Sequence, residues 1–495
     1  MACPGQKDRN MKFIIIGFDG LRPDMVGPQL TPNLHEFAQR YCRFLDHRCT
    51  FPSETYVNTT SLLTGTHPAT HGLVANVFCS SRDGAGSWFK GYEVQSIERL
   101  QQASGGRLFK APSVGEILGR AGMSMATIST NSAGSARLMH HQIERFNHLN
   151  LCPHSIATSS PAGWVRQITG RFTPPAERKI PDLAGVAYAT DVFLDCLVPK
   201  GLPDLTCLWY GEPDNTFHMT GIGSPENQQA LKHTDAQLGR VLDWWHARGR
   251  KDGIQLLIVS DHGHITIRDR VSVAGYLEQA GFKLAEHLQD GAQVAMLPQL
   301  STNLLVKDGD AGLLTAVGQA LLNADWLGSL FYNGGAYKMD NLPGALPLER
   351  ALAGNGRSPH LAWTFRADEE PNRFGYAGSC LHDIGLPIGG SMHGGLHPLE
   401  MQCLLLAGGD LFKPAYRVAN PTGIVDVLPT VLRGLGLKPN IAMSGRVLKE
   451  ALVGIEWQPE VETEAITAKA GNYEQYLKRA KVDGRIYLTD GGRKE

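Results

Sequence analysis

Short apolar runs alternate with longer stretches of helical period along most of the chain, and this alternation predicts its elements. KFIIIGFDG (12–20) reads as a buried strand, and TPNLHEFAQRY (31–41) as a helix with Thr31 as its cap and Pro32 at its first position. SVGEILGRAGM (113–123) predicts a helix leading into the strand SMATIST (124–130). LTCLWYGEPD (205–214) predicts a strand, NQQALKHTDAQLGRVLDWWHARGR (227–250) a long amphipathic helix, and IQLLIVSDHG (254–263) another strand. MQCLLLAGG (401–409) and GIVDVLPTVLRGLG (423–436) add one more strand and a late helix. Apolar strands in strand–helix–strand order predict an α/β fold, with a mostly parallel central sheet flanked by helices on both faces.

Between Asp261 and Met401 the alternation breaks. Residues 268–385, with HLAWTFRADEEPNRFGY (360–376) among them, lack βαβ phrasing and predict an inserted α+β cap over the carboxyl edge of the sheet. The core is then discontinuous, 1–267 and 386–495. After Trp457 the chain turns more polar, and this tail is expected to wrap the surface or a partner subunit, which leaves room for a homo-oligomer. There is no internal repeat, so a solenoid is excluded.

Composition narrows the class. The 495 residues hold 42% apolar and 19% charged positions, the profile of a globular chain with a sizeable core. A formal net charge of −1 gives no global field to attract a nucleic-acid polymer or an anionic membrane. Nine cysteines without a CxxC pair or regular spacing argue for reduced thiols rather than a disulfide framework. The continuous apolar run Phe13 to Ile16 is too short for a signal segment or a membrane span, so the expected address is cytoplasmic.

The 18 histidines direct attention to the strand ends. The first strand ends at Asp19, the LTCLWY strand delivers Asp214 and His218, IQLLIV delivers Asp261 and His262, and GSMHGG offers His393. Open α/β sheets place their sites at such ends. Asp214 and His218 are four apart, so a helical turn from Asp214 puts both on one face. Three aspartates and three histidines are the ligand mixture of a two-metal hydrolytic site.

With these motifs in view, the chain resembles the alkaline phosphatase superfamily. The nearest branch is the nucleotide pyrophosphatase/phosphodiesterase group, with phosphonoacetate hydrolase beside it. The matching stretches are FDGLRPDM (18–25), SETYVNTTSLLTGTHPATHGLVAN (53–76), YGEPDNTFHMTGIGS (210–224), SDHGH (260–264) and SMHGGLHP (391–398). They span the core and leave the cap unmatched. The resemblance implies an alkaline phosphatase-like core and two zinc ions, in preference to manganese. It assigns one zinc to Asp19, Thr55, Asp261 and His262, and the other to Asp214, His218 and His393. Asn76 becomes the binder of a phosphate oxygen.

The same resemblance bears on the nucleophile within CTFPSETYVNTTSLLTG (49–65). Cys49 does not fit the sulfatase pattern Cys-x-Pro-Ser-Arg, because Pro52 is one place late and Glu54 stands where the arginine belongs. Thr50 sits in TFPS, which is similar to the TFPN of animal-type phosphodiesterases. In the family the nucleophile opens a helix, with Asn three residues on and a Thr-Gly pair about three turns later. From Thr55, Asn58 is three on and Gly65 ten on; from Thr50, Gly65 is fifteen on. The register therefore favours Thr55, with a simple helix cap as its bland alternative.

The expected activity is hydrolysis of small phosphate diesters through a covalent phospho-threonine. A phosphonate C–P hydrolase and a phosphate monoesterase are the alternatives. The former needs cations for a substrate carboxylate, and Lys110 is the candidate. Asn131 or Arg137 in STNSAGSARLMHH (129–141) is placed to reach substrate, with a solvated helix start as the alternative. His67, His71, His264 and His397 are expected to support ligands or cap helices, and Trp244 and Trp245 to sit in the core.

Overall fold

The computed structural model describes residues 11–79, 88–288, 291–337, 341–438 and 441–494. Its centre is an eight-stranded sheet of β1 (Lys12–Phe18), β2 (Cys42–Phe44), β3 (Met125–Ser129), β4 (Leu149–Leu151), β5 (Leu205–Tyr210), β6 (Ile254–Val259), β7 (Leu405–Gly408) and β8 (Arg417–Val418), in the order β8-β2-β7-β6-β1-β5-β3-β4. The run β6-β1-β5-β3-β4 is parallel. β7 runs antiparallel to β6, pairing Leu405 with Val259. The reversal has a simple cause. The segment carrying His393 arrives at the carboxyl edge, so the strand that follows has only one way to run, back down the sheet.

Two cores form because successive side chains of β1 point to opposite faces. Ile14, Ile16 and Phe18 pack with α1 (Pro32–Arg40), α4 (Leu183–Val192) and α6 (Pro225–Trp244), including buried Trp245 just beyond α6. Phe13 and Ile15 pack with α2 (Thr55–Thr64), α3 (Val114–Arg120) and α7 (Val427–Gly434). Thr31 does precede α1, yet its hydroxyl bonds Gly27 rather than the helix.

Within 268–385 lies a second, six-stranded sheet, in the order Leu284–Ala285, Val294–Ala295, Asn303–Val306, Leu361–Phe365, Leu327–Tyr332, Leu346–Pro347. The helix Ala311–Leu322 packs on it through Leu314, Val317 and Leu321. The polar tail forms a three-stranded antiparallel sheet, Val461–Ala470, Tyr473–Val482 and Arg485–Arg493. It clamps both bodies: Tyr473 Oη donates to Gly328 O at 2.8 Å, and Tyr487 Oη donates to Asp426 Oδ1 at 3.0 Å. One face of its middle strand is buried through Tyr473, Gln475 and Leu477.

Gly17 couples the sheet to the site. It pairs with Trp209 across β1 and β5, and a Cβ there would lie 2.2 Å from the indole ring. The indole Nε1 donates to Asp19 Oδ2 at 3.1 Å, so the ring must lie over Gly17 to hold that carboxylate. Gly17→Ala is expected to cost about 1–3 kcal/mol of stability through overpacking and to weaken metal retention. Urea unfolding and metal analysis of the same sample check both.

Candidate metal centre

Four strand ends deliver the acidic and imidazole groups to one place. Asp19 follows β1, Asp261 and His262 follow β6, Asp214 opens α5 (Asp214–Thr220) just past β5, and His393 follows the short strand Ser391–Met392. Asp19 and Asp261 are fully buried and Asp214 is nearly so. Ligand atoms of Asp19, Asp261 and His262 lie within 4.8 Å of one another, as do those of Asp214, His262, His264 and His393. His218, one turn along α5, holds Nε2 3.2 Å from Asp214 Oδ1.

His264 is the member that the sequence reading assigned to support. Its Nε2 lies 2.9 Å from Asp214 Oδ1 and its Nδ1 3.0 Å from Ser391 Oγ. Gly20 makes room for it: φ is +68°, and a Cβ there would meet His264 Nε2 at 2.5 Å. The positive φ and the close ring both require glycine, which accounts for GFDG. The repeated histidine in DHGH was the available signal, and only the packing distinguishes it from a cap.

The imidazoles are held in one tautomer. Nδ1 donates to Ser391 O in His218 (2.8 Å), to Gly263 O in His262 (3.1 Å) and to Ser53 O in His393 (2.8 Å). A carbonyl can only accept, so each ring carries a proton on Nδ1 and turns its Nε2 to the centre. Burial pushes His393 well below the usual imidazole range, reinforced by His262 and His264, which keeps it neutral. His262 goes the other way. Burial opposes its charge, but Asp261 and Asp19 push it up to about 10.

Asp261 is a buried carboxylate poorly matched by its neighbours. Burial raises Asp261 well above the carboxylate range, and the Asp19 charge adds to it. Asp261 Oδ2 is buried without a hydrogen-bond partner. Asp19 Oδ2 takes Asn131 Nδ2 at 2.5 Å and Trp209 Nε1, while Asp261 Oδ1 takes Gly20 N at 3.1 Å. Donors orient these groups, and mixed imidazole and carboxylate ligands suit zinc. The residues fit a divalent pair.

Thr55 stands at the first position of α2, with Glu54 as the preceding cap residue. Its Oγ1 lies 3.0 Å from His262 Nε2 and 3.5 Å from Asp19 Oδ1. Asn58 explains how it gets there. The Asn58 amide donates to Pro52 O and Glu54 O, and its Oδ1 accepts from Thr50 N and Thr50 Oγ1. This knot ties 50–54 into a tight entry and occupies the Thr50 hydroxyl, whose other neighbour is Ser61 Oγ at 3.2 Å. Asn76 Oδ1 accepts from Tyr56 N at 2.9 Å, fixing its side chain beside Thr55. Glu54 accepts from Asn76 N, and burial raises its carboxyl to about 7 against that bond.

The remaining candidates are placed elsewhere. Lys110 Nζ donates to Asn355 Oδ1 at 3.4 Å. Arg137 pairs with Glu144 at 2.7 Å, and Asn131 serves Asp19. His71 bonds Ser61 Oγ, His67 bonds Ile486 O, and His397 accepts from Leu399 N. A cleft lined by Glu54, Leu300, Thr302, Phe365, His382 and His393 opens from the centre toward the second sheet.

Known proteins resemble this chain to different degrees. Residues 13–364 match the family model described as type I phosphodiesterase / nucleotide pyrophosphatase. The human ectonucleotide pyrophosphatase/phosphodiesterase family member 7 is 36% identical over 67 residues, 14% of this chain and 15% of that protein. The bis(5'-adenosyl)-triphosphatase of Xenopus laevis is 24% identical over 272 residues, 53% of this chain and 49% of that protein. The chain thus spans about half or less of these relatives' length. Among solved structures, murine ectonucleotide pyrophosphatase/phosphodiesterase 5 superposes with a TM-score of 0.58 at 20% identity, covering 87% of this chain and 98% of that one. The human counterpart gives 0.59 at 18% identity, with 90% and 100% covered. The fold is alkaline phosphatase-like, and the chain belongs to the type I phosphodiesterase / nucleotide pyrophosphatase family.

Proposed function

We propose that this protein is a zinc-dependent phosphodiesterase that attacks through Thr55. The observation that carries the reading is the Thr55 hydroxyl at a helix start, 3.0 Å from His262 Nε2 and 3.5 Å from Asp19 Oδ1. A relative adds support: an inactive threonine-to-alanine variant of the murine protein has been solved in complex with AMP.

The geometry supports the following residue roles. Asp19, Thr55, Asp261 and His262 would hold one zinc, and Asp214, His218 and His393 the other, with His264 holding Asp214. Zinc there supplies the positive charge that acidifies the Thr55 hydroxyl and stabilises the oxygens on phosphorus. Thr55 loses its proton to water, and its oxygen attacks phosphorus in line as the bond to the leaving alkoxide breaks. Asn76, fixed by Tyr56 N, offers its amide N–H to a non-bridging oxygen. The free N–H groups at the start of α2 add to the same charge stabilisation. Water then cleaves the threonine ester and restores the hydroxyl. We read 268–385 as the cap, whose residues Phe365 and His382 face the leaving group across the cleft beside His393.

Turnover of the zinc-loaded chain on aryl phosphate monoesters, diesters and phosphonates tests the reading, with diesters expected to be fastest. Phe365→Ala should reorder rates on that panel without changing metal content. About two zinc per chain are expected in an active sample by elemental analysis; fewer than one contradicts the two-metal site. Thr55→Ala is expected to keep the fold and lose several orders of magnitude in rate. Thr50→Ala loses bonds to Asn58 and Ser61, costing about 1–2 kcal/mol of stability with a far smaller change in rate. The reverse pattern in this pair of variants assigns the attack to Thr50.

A further inference from the structure

Arg178 lies on the loop that follows the helix Ala162–Thr169 and crosses the carboxyl end of β3. Its Nη2 donates to Thr130 O at 2.6 Å, while its Nε is buried with no hydrogen-bond partner. Two buried arginines are neutralised by carboxylates: Arg22 is paired with Asp24 and Arg446 with Glu450, each through two bonds. Arg178 is different. Among the described residues no carboxylate lies within ion-pair distance of its guanidinium, which is only partly exposed. A partly desolvated cation of this kind favours an anion, and a guanidinium fits the planar oxygens of a carboxylate or phosphate.

Its surroundings place it beside the reaction centre. Thr130 precedes Asn131, whose amide holds Asp19. Thr130 Oγ1 accepts from Gly211 N, three residues before Asp214. Burial raises the Tyr56 hydroxyl, on the residue next to Thr55, and the Cys152 thiol, which donates to Asn131 O, and the Arg178 charge lowers both. Arg178 therefore borders the site where β3 and β5 end, whereas the cleft to the cap opens beside His393.

We propose that Arg178 binds a second anionic group on the substrate, a phosphate or carboxylate adjacent to the reacting phosphorus. This rests on the phosphoryl-transfer reading of the same centre. It selects, within phosphorus esters, those that carry charge beyond the scissile group, as a pyrophosphate-linked ester or a carboxyalkyl phosphonate does.

The test is calorimetric titration of the zinc-loaded chain with inorganic orthophosphate, inorganic pyrophosphate and phosphonoacetate, zinc content being checked before and after. Orthophosphate fills the reacting position only; the other two carry the second anion as phosphate and as carboxylate. Arg178→Gln should weaken pyrophosphate or phosphonoacetate by roughly 10- to 100-fold and leave orthophosphate within about threefold, with Arg178→Lys recovering part of the loss. The ligand that loses affinity identifies the anion. Equal weakening of all three, or none for either two-anion ligand, overturns the assignment. Turnover of bis(p-nitrophenyl) phosphate by the unmodified chain is read separately. Absence of that turnover with anion selectivity intact counts against the phosphodiesterase reading and not against Arg178.

Discussion

Three carboxylates brought together away from water govern the structure. Asp19, Asp214 and Asp261 converge at the carboxyl ends of β1, β5 and β6, where burial and the charges of the other two raise Asp261 well above the carboxylate range. The protein answers with N–H donors from Asn131, Trp209 and Gly20 and with imidazoles turned Nε2-inward. These orient the oxygens, and the ligand atoms of the two clusters are grouped closely enough to hold metal. A site built this way has its ligands arranged before substrate arrives, because backbone carbonyls fix the imidazoles and buried side chains hold Asp19.

The rest of the architecture serves that cluster. Parallel strands β1, β5 and β6 point their carboxyl ends to one edge, and the antiparallel β7 allows the chain to bring His393 in at that edge first. The knot around Asn58 starts α2 at Thr55, setting a hydroxyl within reach of Asp19 and His262. The C-terminal sheet ties the second sheet to the core through Tyr473 and Tyr487, bracing the cleft beside His393.

Much of this is legible in the sequence, because apolar runs ending in Asp or His report both a strand and its chemistry. Asp19, Asp214, His218, Asp261, His262 and His393 announce themselves in that way, and Asp214-x-x-x-His218 carries its own geometry in the helical period. What the sequence withholds depends on contacts far apart in the chain. His264 is set beside Asp214 by the absence of a side chain at Gly20. The indole of Trp209 reaches Asp19 only because Gly17 is bare. The direction of β7 depends on where a long insertion ends, and the buried face of the tail depends on two sheets it meets in space. Arg178 carries no motif, and only its packing against Thr130 shows a guanidinium held by a backbone carbonyl instead of a carboxylate.

The central claim is that the Thr55 oxygen forms a bond to phosphorus. Acid quenching of the zinc-loaded chain during turnover of a chromogenic diester, followed by peptide mapping with mass spectrometry, observes that bond directly. The account expects a phosphoryl adduct on the peptide containing Thr55, localised to that residue by fragmentation. An adduct on Thr50 or any other side chain, or none during a rapid burst of product, contradicts it.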